Sequence, residues 1–573
     1  METNSRQNFI KSILINAVIL AAMLVLTDMA YETNDDYAIA ARLASGYPYV
    51  GFVNYFLCRV LIAVQSLIPA VNWYVILLIA ASFVSFTSIL HTIFNAGTGR
   101  VVRIASSVMI AFFAFDHYSA VQFTKTATLV MTAGMLLLVD CVTEKKKAPG
   151  YIIAILLIYL GACIRVDALL GAAGFAGIYG LIWLIQNRSR LTDDGYFTFG
   201  RIVLYALLIV LVIGAYGLDQ YSCRINVSTP ELRYAEDYSL YRSNVVDFPT
   251  YEYYEDNVDA YDAIGISEND IYLIDHWVFD YEGAASMENL RSIDSIKRSD
   301  DGKAAVLIKS VKKCLKETYH GVRDLSFTGI HIIYLCVLAL WMILALKPRH
   351  WPFVIGTGLM ALALYLAVYY MQRPAYRALY VADIGAAVWM LYYLMKNTGE
   401  KAKGSNRGAS AVMGVAVILI TAMLMAPAYT GAESKAAKAS GKVMSEALEK
   451  YYMQNGDKLY VWATTEKKQA RVYASPLKAP DGKDRNVTGT GGWGVLSPYM
   501  LDRLAEFGVY NPIKDLIDNE KAFYVGNKNI KRLEEYYNKW YGTPDTTIYM
   551  EQVDEIDGNK IWAVKTAEKG WLF

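Results

Sequence analysis

An α-helical polytopic membrane protein with a small α/β domain at its C-terminal end is the fold class that three observations predict. Of the 573 residues 55% are apolar and only 19% charged, below the roughly one quarter charged that is usual in soluble domains. Apolar runs close to the roughly twenty residues that cross a bilayer recur between Phe9 and Ala426. Past Pro427 the pattern changes to short alternating runs separated by turn residues. The net charge of +1 gives no sign of a nucleic acid or a strongly acidic partner.

The expected spans, about eleven in all, are Phe9 to Thr27, Trp73 to Phe94, Val101 to Phe115, Thr126 to Val142, Tyr151 to Ile164, Ala168 to Ile185, Ile202 to Leu218, Thr328 to Leu346, Trp351 to Met371, Ala378 to Met395 and Ala411 to Ala426. Arg6 and Lys11 precede the first run as they would in a secretion signal, but the spans that follow make it an uncleaved helix. Basic clusters at Arg100 and Arg103, Lys145 to Lys147, Arg188 and Arg190, Lys347 and Arg349, and Lys396 to Arg407 mark the cytoplasmic loops. The apolar stretch Val50 to Ile68 carries Asn54, Arg59 and Gln65, and reads as an interfacial or re-entrant helix. Were it a twelfth span, the first helix would reverse and the loop after it would face inward. As read, the protein is a multi-pass plasma-membrane protein with its N-terminus in the cytoplasm and its C-terminal domain outside.

Two parts follow, a membrane module at 1–427 and an extracytoplasmic α/β domain at 428–573. The module carries an outer acidic loop at 28–50, the interfacial helix at 50–68 and a Tyr-rich outer cap at 219–327. In the tail, Ala432 to Met453 reads as a helix, Lys458 to Ala463, Ala522 to Val525 and Ile548 to Val553 as strands, and Asn529 to Tyr541 as a helix. Asp557-Gly558 is a hairpin turn. Four of the six cysteines sit in or beside apolar spans; Cys223 and Cys314 fall in the outer segment, where pairing is open. Asn486-Val487-Thr488 matches a glycan acceptor pattern, a short and common match.

Glu32-Thr33-Asn34-Asp35-Asp36-Tyr37 follows the first span and opens a short helix. Asn34 or Asp35 suits its N-cap, Gly46 the position past its end, and Pro48 stops it. Capping explains one acidic residue. It leaves unexplained an adjacent pair at a membrane boundary, where carboxylates are costly and tend to handle protons, ions or substrates.

A first helix, an outer loop opening on Asn34-Asp35-Asp36, and interfacial helices before the second span resemble the GT-C superfamily of glycosyltransferases, which includes the protein O-mannosyltransferases and the aminoarabinose transferase acting on lipid A. Gln122-Phe123-Thr124-Lys125 ahead of a span, the turn Gln372-Arg373-Pro374-Ala375-Tyr376-Arg377, and a domain after the last helix add to the likeness, although many relatives carry Asp-Glu where this chain has Asp-Asp. The resemblance implies transfer of a sugar from a polyprenyl-phosphate-linked donor to an extracytoplasmic acceptor, a lipid, a cell-wall glycan or a protein, with inversion at the anomeric carbon. That chemistry needs a carboxylate to take the acceptor proton and cations to hold the leaving phosphate.

Asp35 is the first choice for the base, with Asp36 as helper, metal ligand or cap, and the order is reversible. Arg373 and Arg377, with Lys125 and Arg165, are candidates for the donor phosphate, because guanidinium groups bind phosphate oxygens in a bidentate manner. Against this, Arg377 at a helix end can snorkel to headgroups, Arg165 can pair with Asp167, and Lys125 can anchor at the interface. His117 and Arg59 are accessory candidates. Some GT-C members resemble metal-dependent enzymes and others need no divalent ion; Mg or Mn, if used, would fall to Asp35 and Asp36. In the cap, Glu268-Asn269-Asp270 and Asp275-His276-Trp277 offer carboxylates and an aromatic platform. Two rivals stand beside the transferase, a transporter or flippase of lipid-linked glycans, and a membrane-anchored binding or assembly module.

Overall fold

The computed structural model describes residues 2–191, 195–247, 254–296, 303–371, 374–398, 407–440, 443–468, 476–482 and 485–569. From the N-terminus these form α1 (Glu2–Leu26), β1 (Ala30–Tyr31), α2 (Asn34–Ala44), α3 (Tyr55–Leu67), α4 (Trp73–Ala96), α5 (Arg100–Tyr118), β2 (Ala120–Val121), α6 (Phe123–Thr143), α7 (Ala148–Arg165), α8 (Ala168–Asn187) and α9 (Phe199–Asn226). Short helices α10 (Pro230–Arg242), α11 (Val258–Ala263), α12 (Glu268–Asp275) and α13 (Met287–Ser295) come next. Then follow α14 (Lys303–Arg323), α15 (Phe327–Ala345), α16 (Trp351–Tyr370), α17 (Tyr376–Thr398) and α18 (Arg407–Ser440). The remainder is α19 (Glu446–Gln454), β3 (Leu459–Trp462), β4 (Val487–Gly489), α20 (Pro498–Ala505), β5 (Ala522–Val525), α21 (Ile530–Trp540), β6 (Thr546–Ile556) and β7 (Asn559–Glu568).

The chain is a polytopic helical membrane protein with a small sheet domain. Among the described residues, ten helices are long and apolar enough to cross a membrane, and Ala411–Pro427, the expected eleventh, is a shorter apolar stretch within α18. Helix α3 has 13 residues, about 20 Å at 1.5 Å per residue, which falls short of the hydrocarbon thickness. The chain enters and leaves α3 at one end of the bundle: Asn54 N–H bonds the Cys163 carbonyl at the end of α7, and the Asn72 amide bonds Tyr31 Oη at 2.6 Å. The segment 50–68 thus makes no crossing.

The membrane unit holds the described residues within Met1–Ile225, Leu307–Ala437 and Tyr473–Ala479. Helices α6 and α17 are its most enclosed. Small residues let α6 and α7 touch backbone to backbone: a Cβ on Gly134 would lie 3.0 Å from the Ala154 carbonyl oxygen, and one on Gly161 3.3 Å from that of Ala127. Without a hydrophobic drive between helices in lipid, such close packing does the holding.

The second unit holds the described residues within Asn226–Val306, Lys438–Val472 and Pro480–Phe573. Its sheet runs in the order β4-β3-β5-β7-β6, with β3 parallel to β4 and β5, and β7 antiparallel to β5 and β6. Asp557 and Gly558 both take positive φ, 51° and 72°, as a two-residue hairpin requires. Tyr238, Tyr261, Ile274 and Leu290 from the first segment share a core with Leu459, Val461, Leu533 and Val564 from the tail. The division therefore differs from the expected cap at 219–327 and separate domain at 428–573. Most of the cap region builds the same hydrophobic core as the tail, while its end from Leu307 onward joins the membrane unit.

Local details also differ from expectation. The helix expected over 432–453 is instead the end of α18 at Ser440 and a separate α19 capped by Ser445. Cys223 and Cys314 are free thiols, the first exposed and beside Asp219, the second buried. Asn486 is buried and its amide donates to the carbonyls of Tyr452, Asn455 and Lys458, so it ties a loop together and presents no glycan acceptor. Asp270 completes a capping box with Ser267 and pairs with Lys539, a structural use of that cap carboxylate.

Candidate functional site

Three of the candidate residues, Asp36, Lys125 and Arg165, meet at the first turn of α6. Strands β1 and β2 pair in parallel, Ala30 opposite Ala120 and Tyr31 opposite Val121, which brings the loop after α1 against the start of α6. The Gln122 side chain caps α6 by accepting from Lys125 N–H at 2.9 Å. Successive residues of this turn then each hold a different partner.

Phe123 offers its unpaired helix-start N–H to Asp36 Oδ1 at 3.0 Å, and Tyr74 Oη donates to the same oxygen at 2.9 Å. Asp36 Oδ2 faces Thr33 Oγ1 at 3.1 Å, and the side chain is wholly buried. Burial pushes this carboxyl up to about 7, against the hydrogen bonds from Tyr74 and Phe123. With two donors on Oδ1, the proton of the neutral acid belongs on Oδ2, directed at Thr33. Asp36 thus joins α2, α4 and α6.

Thr124 Oγ1 accepts from Arg165 at 3.2 Å, and the Arg165 guanidinium lies 5.4 Å from the Phe123 ring centre while its Nε bonds the exposed Asp167 at 3.0 Å. Lys125, fully buried, forms ion pairs with Glu32 and with Asp116 Oδ1, the latter at 3.1 Å. Tyr376 Oη donates to Asp116 Oδ2 at 2.6 Å. An ammonium held between two carboxylates is a cluster in which each partner fixes the others. Its charge is committed to Glu32 and Asp116.

Asp35, next to Asp36 but partly exposed, has Arg377 at 3.5 Å, and both side chains keep about a fifth of their surface open, 18% and 24%. Arg377 follows Tyr376 at the start of α17, so one turn of α17 serves both the buried cluster and the open pair. Asp36 is a poor half of a shared metal site, because both its oxygens already have hydrogen-bond partners and burial favours its protonated form. Among the described residues no group of three or more His, Cys, Asp or Glu is arranged to hold a metal ion.

Other candidates lie elsewhere. His117 is buried in the bundle, sharing hydrogen bonds with Tyr380 Oη at 2.7 Å and Ser82 Oγ at 3.3 Å. Although adjacent in sequence, Asp116 and His117 point to different neighbours. Arg59 is exposed on α3. Arg373 lies outside the described residues.

Tyr74 and Asp116 join the site without a motif to announce them, and Glu32 and Tyr376 join it from two quoted segments whose sequence reading gives neither a role. A file of buried groups also continues from Tyr376: its Oη lies 3.4 Å from His331 Nδ1, which is 3.6 Å from Asp383 Oδ2, and Tyr365 donates to Asp383 Oδ1 at 2.8 Å. The only sequence signal for these would have been polar residues inside apolar spans. Searches of family models, curated proteins and solved structures return no match to this chain.

Proposed function

We propose that the protein is an integral-membrane glycosyltransferase that moves a sugar from a polyprenyl-phosphate-linked donor to an extracytoplasmic acceptor, with inversion. The observation that carries the reading is the Asp35 and Arg377 pair, a partly open carboxylate beside a partly open guanidinium, next to the ion-paired cluster of Lys125, Glu32 and Asp116. In this reading Asp35 takes the proton of the acceptor hydroxyl as its oxygen attacks the anomeric carbon. The bond from that carbon to the phosphate oxygen breaks, and Arg377, with Arg165 at the end of α7 against the first turn of α6, holds the departing lipid phosphate. Asp36 becomes a positioning residue that sets the motif on α6. The end of the bundle that carries the pair is then the extracytoplasmic one.

The test is transfer of labelled sugar by the purified full chain, supplied with a panel of polyprenyl-phosphate sugars and membrane extract as acceptor. Asp35→Asn is expected to lower transfer by roughly a hundredfold to ten-thousandfold with unchanged membrane insertion, and Arg377→Ala to raise the donor concentration needed. Full transfer by Asp35→Asn would remove the acidic pair from the chemistry.

One observation favours a second reading, a transporter or flippase of lipid-linked glycans. The buried file from Asp116 through Tyr376 and His331 to Asp383 is of the kind that relays protons in transporters. Movement of a lipid-linked sugar across vesicles, dependent on Asp383 and without any transfer product, would select it.

A further inference from the structure

From the faces of α14 we infer that this helix is a membrane-surface anchor whose partner is anionic lipid. From Leu307 onward α14 belongs to the membrane unit. One arc packs on α16: Cys314 is buried with Tyr365, Val368 and Tyr369, and Glu317 accepts from Tyr369 Oη at 2.9 Å. At about 3.6 residues per turn, two other arcs remain open. Leu307, Ile308, Leu315 and Tyr319 make an apolar one, exposed by 47, 55, 62 and 65%. Lys309, Lys312, Lys313 and Lys316 make a basic one beside it, all exposed.

Water is a poor neighbour for such an apolar arc, whereas the boundary between acyl chains and headgroups satisfies both arcs together: apolar side chains enter the chains and ammonium groups meet lipid phosphates. The place in the chain agrees. Helix α14 ends where the candidate span Thr328–Ala345 begins, hence at a membrane boundary. The turn between them is tight, since Ser326 N–H bonds the Gly321 carbonyl at 2.8 Å, and a Cβ on Gly329 would lie 2.0 Å from that carbonyl oxygen. That contact leaves α14 little freedom to swing away from α15. The positive charge of four lysines selects lipid of net negative charge, and the inference is independent of any catalytic role.

The full chain, carrying a benzophenone amino acid in place of Leu315, is reconstituted in nanodiscs of phosphatidylcholine alone or mixed with phosphatidylglycerol, photolysed, and its adducts identified by mass spectrometry. Lipid adducts at position 315 are expected. In the mixed discs, retained phosphatidylglycerol relative to phosphatidylcholine should fall by roughly tenfold or more when Lys309, Lys312, Lys313 and Lys316 are all changed to Gln. These lysines are exposed and the Lys313 ion pair with Glu317, at 3.9 Å, is a surface one, so the variant is expected to keep the fold. Adducts to another part of the protein or to a second copy would overturn the inference, as would a lipid ratio unaffected by loss of the four charges.

Discussion

Asp280 and Asp116 are buried to almost the same degree, 1% and 3% exposed, yet their surroundings differ in kind. In the second unit Asp280 accepts from Tyr536, Tyr541 and the Asn511 amide and from the N–H groups of Glu282 and Gly283, at 2.5 to 3.1 Å, all neutral donors. In the membrane unit Asp116 shares a buried lysine with Glu32. A sheet domain supplies loop N–H groups and tyrosines around a lone carboxylate. A helix bundle has its backbone groups already bonded within helices, so Asp116 is matched there by an opposite charge and Asp36 by a helix N-terminus. The contrast also isolates what is left over: beside the satisfied network, Asp35 and Arg377 stay partly open.

The sharpest way to break this comparison is Lys125→Met, which strands the buried Asp116 and the partly buried Glu32. The expected loss is about 3–5 kcal/mol of stability, read as a collapse of the monodisperse fraction and of the thermal midpoint in detergent. Asp280→Ala should cost about 3 kcal/mol, because several donors lose their acceptor at once. A local readout, such as proteolysis of the second unit with the membrane unit intact, separates it from the first variant.

Asp36 tests whether burial or charge matters. Asp36→Ala is expected to cost about 1–3 kcal/mol. Asp36→Asn, which can accept from Tyr74 and Phe123 and donate to Thr33, should cost under about 1 kcal/mol. Its pH dependence follows from the upward shift. The folded state binds a proton that the unfolded chain has released, so the stabilisation is fully present below about pH 4 and is lost as pH rises toward about 7. Thermal midpoints across that window should fall for the native chain and less steeply for Asp36→Asn. The smallest expected change in stability, within about 0.5 kcal/mol, is that of Asp35→Asn, the same variant expected to lose transfer. A large loss of stability there would place Asp35 in the buried network and weaken its candidacy as the base.

Much of this architecture was legible in the chain. The apolar spans, the short helix after the first of them, and the Asp557-Gly558 hairpin are written in local patterns of hydropathy and turn residues, whose physical effects act over a few neighbours. The polar residues of 50–68 set it apart from the longer apolar runs, and α3 is correspondingly short at 13 residues. The distinct fates of Asp35 and Asp36 were not legible, because Asp36 finds its partners 38 and 87 residues away, on Tyr74 and Phe123.

By itself, then, the sequence determined a many-spanning helical protein with a sheet domain and a pair of carboxylates at a membrane boundary. Only the tertiary structure decided that Lys125 pairs with both Glu32 and Asp116, that Asp36 bridges three helices while Asp35 stays open to Arg377, and that the described residues within 226–306 share a core with the tail. Hydropathy and turn chemistry act between near neighbours in the chain. What a charged group does depends on which distant groups the fold places within a few ångströms of it.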